Sequence, residues 1–138
     1  MRELGGHDRL ALAATTSAVG RARAFADLAG AKWEDPKLVE DLLVVVSELV
    51  TNAVKALDAV SHDAGGIGAL VAVELVRLDD CVLVEVSDTA PGLPALSDAE
   101  DPDAEGGRGL LMVEVLAAGW GWRAVPGGKV VWARLART

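Results

Sequence analysis

Apolar residues recur along this chain with helical spacing in some segments and as short extended runs in others. Asp35-Pro36 is typical of a helix N-cap followed by proline at the first helical position, and helical spacing follows it. Thr16 or Ser17 could cap an earlier helix, which would end near Gly30. The pattern therefore predicts three helices, over residues 16–30, 37–58 and 110–118.

Short apolar runs between polar turns predict five strands, at Arg9–Thr15, Ala69–Leu78, Cys81–Ser87, Trp120–Val125 and Val130–Leu135. Asp79-Asp80 joins two of them as a hairpin, and Pro126–Lys129 joins the last two. Ser61–Gly68 is predicted to be a loop. Adjacent hairpins with grouped helices are typical of an α+β, two-layer sandwich, and 138 residues fit a single domain.

Composition changes this picture mainly through charge. The chain has 13 basic and 21 acidic residues, a net charge of −8, and Thr89–Glu105 supplies −5 of it, together with three prolines. That segment is predicted to be a loop or lid, longer than most connections in a compact domain. The acidity argues against nucleic-acid and membrane partners, but phosphates can still be held by backbone N–H groups and metal. One cysteine and the lack of a long apolar stretch lead us to expect a cytoplasmic protein.

Glu48, Asn52 and Lys55 are the first candidate site residues. Glu48 and Asn52 are four residues apart on the long predicted helix, so they share one face, and Lys55 follows near it. A carboxylate can accept a proton or orient water, and an amide oxygen can bind a hard cation such as Mg²⁺. The alternative interpretation is a solvated polar stripe.

Asp88 and Gly92 form the second candidate group, where an apolar strand ends in a Pro-Gly turn. A carboxylate there can accept a hydrogen bond from an exocyclic amine, which would select adenine over guanine, and a glycine allows a flat base to approach the backbone. Turn chemistry alone also explains these residues.

Gly107, Arg108, Gly109 and Leu110 form the third group, at the predicted start of the last helix. The free N–H groups of a helix start bind anions, and an arginine adds a charged contact to phosphate. A hinge at a helix start is the alternative. The segment matches neither the dinucleotide-binding fingerprint nor a P-loop.

These three groups, in this order, resemble the N, G1 and G2 boxes of the GHKL superfamily of ATPases and kinases, which includes gyrase and histidine kinases. The segments SELVTNAV, VSDTAPGLP and GGRGLLMVEVLAAGWG resemble the stand-alone anti-sigma-factor serine/threonine kinases. The resemblance covers about residues 9–136. It implies the Bergerat fold, with helices on one face of a largely antiparallel mixed sheet and a lid over about residues 89–108.

The resemblance also implies roles for the candidate residues. Asn52 would coordinate Mg²⁺ on the ATP phosphates, Asp88 would bind the adenine amine with Gly92 beneath the base, and Glu48 would act as general base toward a partner serine. The glycines and Arg108 would close the lid over the phosphates. Relatives carry a threonine early in the last strand, where Val130 and Val131 are the matching positions considered.

The implied function is an ATP- and Mg²⁺-dependent serine/threonine kinase that regulates a sigma factor. Its partners would be an anti-anti-sigma protein of the STAS type and the sigma factor, and members of that family are commonly homodimers. The acidic lid favours the alternative, a nucleotide-binding interaction module of the same fold with little kinase activity and a non-sigma partner. A histidine-kinase fragment is less favoured, because no helix pair carries a phospho-accepting histidine.

Overall fold

A computed structural model describes the backbone of residues 3–64, 69–89 and 105–137. The described elements follow the predicted order, and their bounds are β1 Glu3–Ala13, α1 Ala18–Gly30, α2 Pro36–Ala64, β2 Leu70–Leu78, β3 Cys81–Asp88, α3 Glu105–Leu116, β4 Gly119–Val125 and β5 Gly128–Ala136. The predicted α+β sandwich is confirmed. Among these residues no helix is both long enough and apolar enough to cross a membrane.

The five strands form one sheet in the order β1-β2-β3-β5-β4, and every neighbouring pair is antiparallel. Side chains alternate between the two faces of a strand, so every second residue of β3 and β5 points toward the helices. On that face Val86 lies opposite Val131 and Val84 lies opposite Ala133. The helices cover this single apolar face, and α2 packs centrally on β2, β3 and β5.

The start of α2 is fixed by the predicted cap. The Leu38 N–H donates to Asp35 Oδ1 at 3.3 Å, and Pro36 occupies the first helical position. Farther along, the Arg23 guanidinium of α1 donates to Ser47 Oγ of α2 at 2.8 Å. This contact places α1 along one side of α2, and α2 also packs against α3.

Several element boundaries differ from the predictions. α2 continues through Ala64, beyond the predicted loop start at Ser61. Extending an existing helix through polar residues costs only about a few tenths of a kcal/mol per residue relative to alanine. β1 begins at Glu3, well before Arg9, because β2 pairs with it from Gly6 to Ala13 and, after a shift in register, again at Glu3. β5 begins at Gly128, so the predicted four-residue turn is shorter and Lys129 belongs to the strand.

The single cysteine offers a test of the packing. Cys81 is buried at the start of β3, and burial raises the pKa of its thiol, which lowers the fraction of reactive thiolate at neutral pH. We expect a thiol reagent to modify Cys81 about a hundredfold more slowly in the folded protein than in urea. Absorbance of the released chromophore measures both rates, and equal rates would contradict the packing of this strand.

Candidate functional site

One edge of α2 carries the first candidate group. Asn52 is buried, with 8% of its surface exposed, Glu48 is half-buried and Lys55 is exposed. Successive helical residues are about 100° apart, so Asn52 lies about 140° around the helix from Ser47, which contacts α1. The predicted shared face of Glu48 and Asn52 is confirmed by their place four residues apart on one continuous helix.

Asp88 is the last residue of β3, as the sequence predicted for a strand-ending carboxylate. It belongs to the alternating set with Val84 and Val86, so its side chain points toward the helix layer. Val71, near the start of β2, lies opposite Asp88 in the sheet. Since β2 follows α2, the end of α2 and Asp88 lie at the same edge of the sheet.

Lys129 is a site residue that the sequence analysis missed. It lies directly opposite Asp88 in the β3–β5 ladder, and its Nζ donates to Asp88 Oδ1 at 2.9 Å. The two side chains are 3% and 1% exposed. A fully buried lysine is rare unless it is paired, so this ion pair is a distinctive feature of the site. The sequence signal that could have identified it is the apolar run that follows Lys129, since a strand through that run could have been extended backward to include the lysine.

Two glycines hold Lys129 in this position. Gly127 has φ of 84°, a left-handed conformation that glycine adopts without strain, and it lets the chain turn sharply from β4 into β5. Gly128 packs against the backbone of Asp88 and Thr89 so closely that a Cβ would collide with the Asp88 carbonyl. The close approach of the two strands therefore requires glycine and fixes the register that pairs Lys129 with Asp88.

Neither valine considered for the family's threonine position lies directly opposite Asp88 in the sheet. Val130 lies opposite Ser87 on the other face of the sheet, and Val131 lies opposite Val86 within the core. The residue of the last strand that faces Asp88 is Lys129. The resemblance placed the relatives' threonine at Val130 or Val131, so the residue that pairs with Asp88 was not among the positions considered.

The third candidate group lies on α3, which packs against α2 and β4. The structure begins this helix at Glu105, so Gly107, Arg108, Gly109 and Leu110 are helical and do not form a loop before the helix. Glycine in a helix interior lowers helix stability by about 1 kcal/mol relative to alanine, so the glycines at 106, 107 and 109 led us to predict that α3 begins only at Leu110. The first helical turn, where N–H groups lack helical partners, tolerates it better. Gly92 and residues 90–104 of the predicted lid lie outside the described residues.

The described candidate residues are therefore a buried carboxylate with a lysine partner on the sheet, and a carboxylate and an amide on α2, the helix that packs on this sheet. Within the described ranges no cluster of three or more histidine, cysteine, aspartate or glutamate side chains could hold a metal by itself. The Asn52 amide oxygen is a ligand of the type that a hard cation accepts.

A comparison with known families identifies the kind of domain that carries these residues. The family model described as histidine kinase-like ATPase domain matches residues 12–135, a range that contains the three described helices and strands β2 to β4, nearly all of β5 and the last two residues of β1. No curated protein matches the chain significantly. Since the match covers most of the 138 residues, this chain belongs to the histidine kinase-like ATPase domain family, whose domains are ATP-binding modules.

Proposed function

We propose that this protein is an ATP- and Mg²⁺-dependent serine/threonine kinase of the anti-sigma-factor type, which acts by partner switching with an anti-anti-sigma protein of the STAS type. The observation that carries the proposal is the placement of Asp88 on the sheet face covered by α2, the helix with Glu48 and Asn52. Family membership supports the ATP-binding part, and the resemblance of the three boxes supports the kinase part.

The described residues fit an adenine nucleotide in their donor and acceptor types. Asp88 offers a carboxylate at the end of a strand, which would accept a hydrogen bond from the adenine amine. Asn52 offers a neutral amide oxygen, the ligand type that Mg²⁺ accepts beside phosphate oxygens. The first turn of α3 offers backbone N–H groups, which stabilise phosphate charge.

In this proposal Glu48 holds the proton-accepting role. Its carboxylate is half-buried, one helical turn from Asn52, so a serine hydroxyl that approaches the metal-bound phosphate would come near it. Mg²⁺, when bound, neutralises charge on the transferred phosphoryl group. A base and a metal ligand on one rigid helix keep their separation constant, which favours phosphoryl transfer over simple binding.

The second candidate function is a nucleotide-binding interaction module with little kinase activity and a non-sigma partner. The acidic segment 89–105 favours it, since five carboxylates repel a triphosphate.

Labelled ATP distinguishes the two functions. The full chain is purified with its interacting protein and incubated with MgATP that carries a labelled γ-phosphate, and nucleotide binding is measured separately by calorimetry. We expect label on a serine of the partner. ATP binding without transfer would leave the interaction module as the function. The absence of any nucleotide binding would overturn both.

The metal-binding role of Asn52 predicts a specific loss. Replacing Asn52 with alanine removes the amide oxygen, so MgATP should bind no more tightly than ATP in EDTA, a loss of about tenfold, or about 1.4 kcal/mol. Asn52→Asp keeps an oxygen ligand and should retain the Mg²⁺ dependence. Calorimetric titrations with and without EDTA measure it, and an Asn52→Ala protein that keeps the dependence would contradict the assignment.

A further inference from the structure

The buried ion pair between Asp88 and Lys129 is the feature of this site that ATP binding does not require. A buried salt bridge is a poor way to stabilise a fold, because the cost of removing both charges from water offsets their attraction. The neighbouring cross-strand pair on the same face, Val86 opposite Val131, shows that apolar residues fill this layer without difficulty. The charged pair therefore calls for an explanation in terms of the site.

We infer that Lys129 is an internal competitor for the base site: its ammonium occupies Asp88 when no nucleotide is bound, and it must withdraw before a purine amine can bind there. This inference rests on the proposed nucleotide-binding function of Asp88. It adds a residue that sets the affinity of the site, and that residue is Lys129.

The chemistry of the two donors supports competition. The Lys129 ammonium has three N–H donors and no acceptor, and the exocyclic amine of adenine likewise presents N–H donors to a carboxylate. The ammonium carries a full positive charge, so its hydrogen bond to Asp88 is stronger than one from a neutral amine. At 2.9 Å from Oδ1 it stands at hydrogen-bonding distance, in the place that a base amine would take on this oxygen.

Burial supports the same conclusion. The Asp88 side chain is only 1% exposed while Lys129 is paired with it, so a base has no open path to the carboxylate in this conformation. Lys129 is the second residue of β5 and follows the turn at Pro126–Gly127. The lysine side chain has four rotatable bonds, so the ammonium can swing away from Asp88 while the backbone of β5 stays in the sheet.

Competition lowers the measured ATP affinity by a factor that depends on how often the Asp88–Lys129 ion pair is broken. The apparent dissociation constant equals the intrinsic one divided by the fraction of molecules whose site is competent. If Lys129 is withdrawn in about one molecule in ten, the apparent affinity is about tenfold weaker than that of the open site. Removing the ammonium should recover this factor.

The test compares MgATP affinities by calorimetry for the wild type, Lys129→Met and Lys129→Gln. Both variants should bind MgATP about tenfold more tightly than the wild type. Lys37→Met is the matched control, because Lys37 also pairs with an aspartate, Asp41, at 2.9 Å but is exposed, and its affinity should not change. The double variant Asp88→Asn/Lys129→Met should lose the gain, since the gain depends on the carboxylate.

A measurement on the unaltered protein covers the case in which the variants fail to fold. In protein with ¹⁵N-labelled lysine, the buried Lys129 ammonium should give a slowly exchanging resonance in the absence of nucleotide. Saturating MgATP should abolish or strongly shift this resonance. A resonance that is unchanged at saturation would overturn the inference.

The outcomes separate the inference from the proposed function. Unchanged or weaker MgATP binding in Lys129→Met and Lys129→Gln, with binding in the wild type, would overturn the competitor role and leave the nucleotide-binding function intact. Tighter binding in both would support the inference and the function. The absence of binding in every protein tested would overturn both.

Discussion

Replacing Glu48 with glutamine is expected to slow phosphoryl transfer to the partner serine by about 10²- to 10⁴-fold, the contribution typical of a general base. Glutamine keeps the size of the side chain and its place on α2 but cannot accept the proton. ATP affinity should be unchanged, because the adenine contact assigned to Asp88 and the metal–phosphate contact assigned to Asn52 remain. Single-turnover transfer of labelled phosphate measures the rate, and calorimetry measures the affinity.

The matched control is Glu40→Gln, the same chemical change two helical turns earlier on α2 at an exposed position. It should transfer phosphate at the wild-type rate. If Glu48→Gln also transfers at that rate, Glu48 is not the base. If it loses ATP binding as well, the residue supports the nucleotide site and not the proton transfer.

Replacing Asp88 with asparagine is expected to lower the free energy of unfolding by about 3–5 kcal/mol, because it leaves the Lys129 ammonium buried without its compensating charge. Urea denaturation monitored by tryptophan fluorescence measures this loss. The same variant should bind ATP more weakly and discriminate less between ATP and GTP. Equal affinity of the wild type for ATP and GTP would count against the proposed role of Asp88 in base recognition.

Glu85 on the same strand provides the control. Its carboxylate pairs with Arg123 at 2.6 Å, but that arginine side chain is 54% exposed, and surface ion pairs contribute up to about 1 kcal/mol. Glu85→Gln should therefore cost less than about 1 kcal/mol. An Asp88→Asn protein no less stable than Glu85→Gln would contradict the buried pair.

The sequence predicted most of the fold because the signals are local. The Asp35-Pro36 cap, the long helical period and the Asp79-Asp80 hairpin each depend on neighbours in the chain. Asp88 was placed at the end of its strand for the same reason. These predictions required only the residue order and the preferences of each residue type.

Lys129 could not be placed in the same way. Pro126, two glycines and a lysine have the composition of a turn, so local reasoning assigned Lys129 to a loop. Its burial depends on the register between β3 and β5, which brings together residues 41 positions apart. The partner of Asp88 is therefore a property of the assembled sheet.

The tight contact of Gly128 with the end of β3 couples two parts of the molecule that are far apart in the chain. The β4–β5 turn and the backbone of Asp88 are in direct contact, because no side chain separates them. A molecule that binds Pro126–Gly127 and shifts the turn would change the fraction of molecules in which Lys129 has left Asp88. By reciprocity, it would alter nucleotide affinity by the same factor by which nucleotide alters its own.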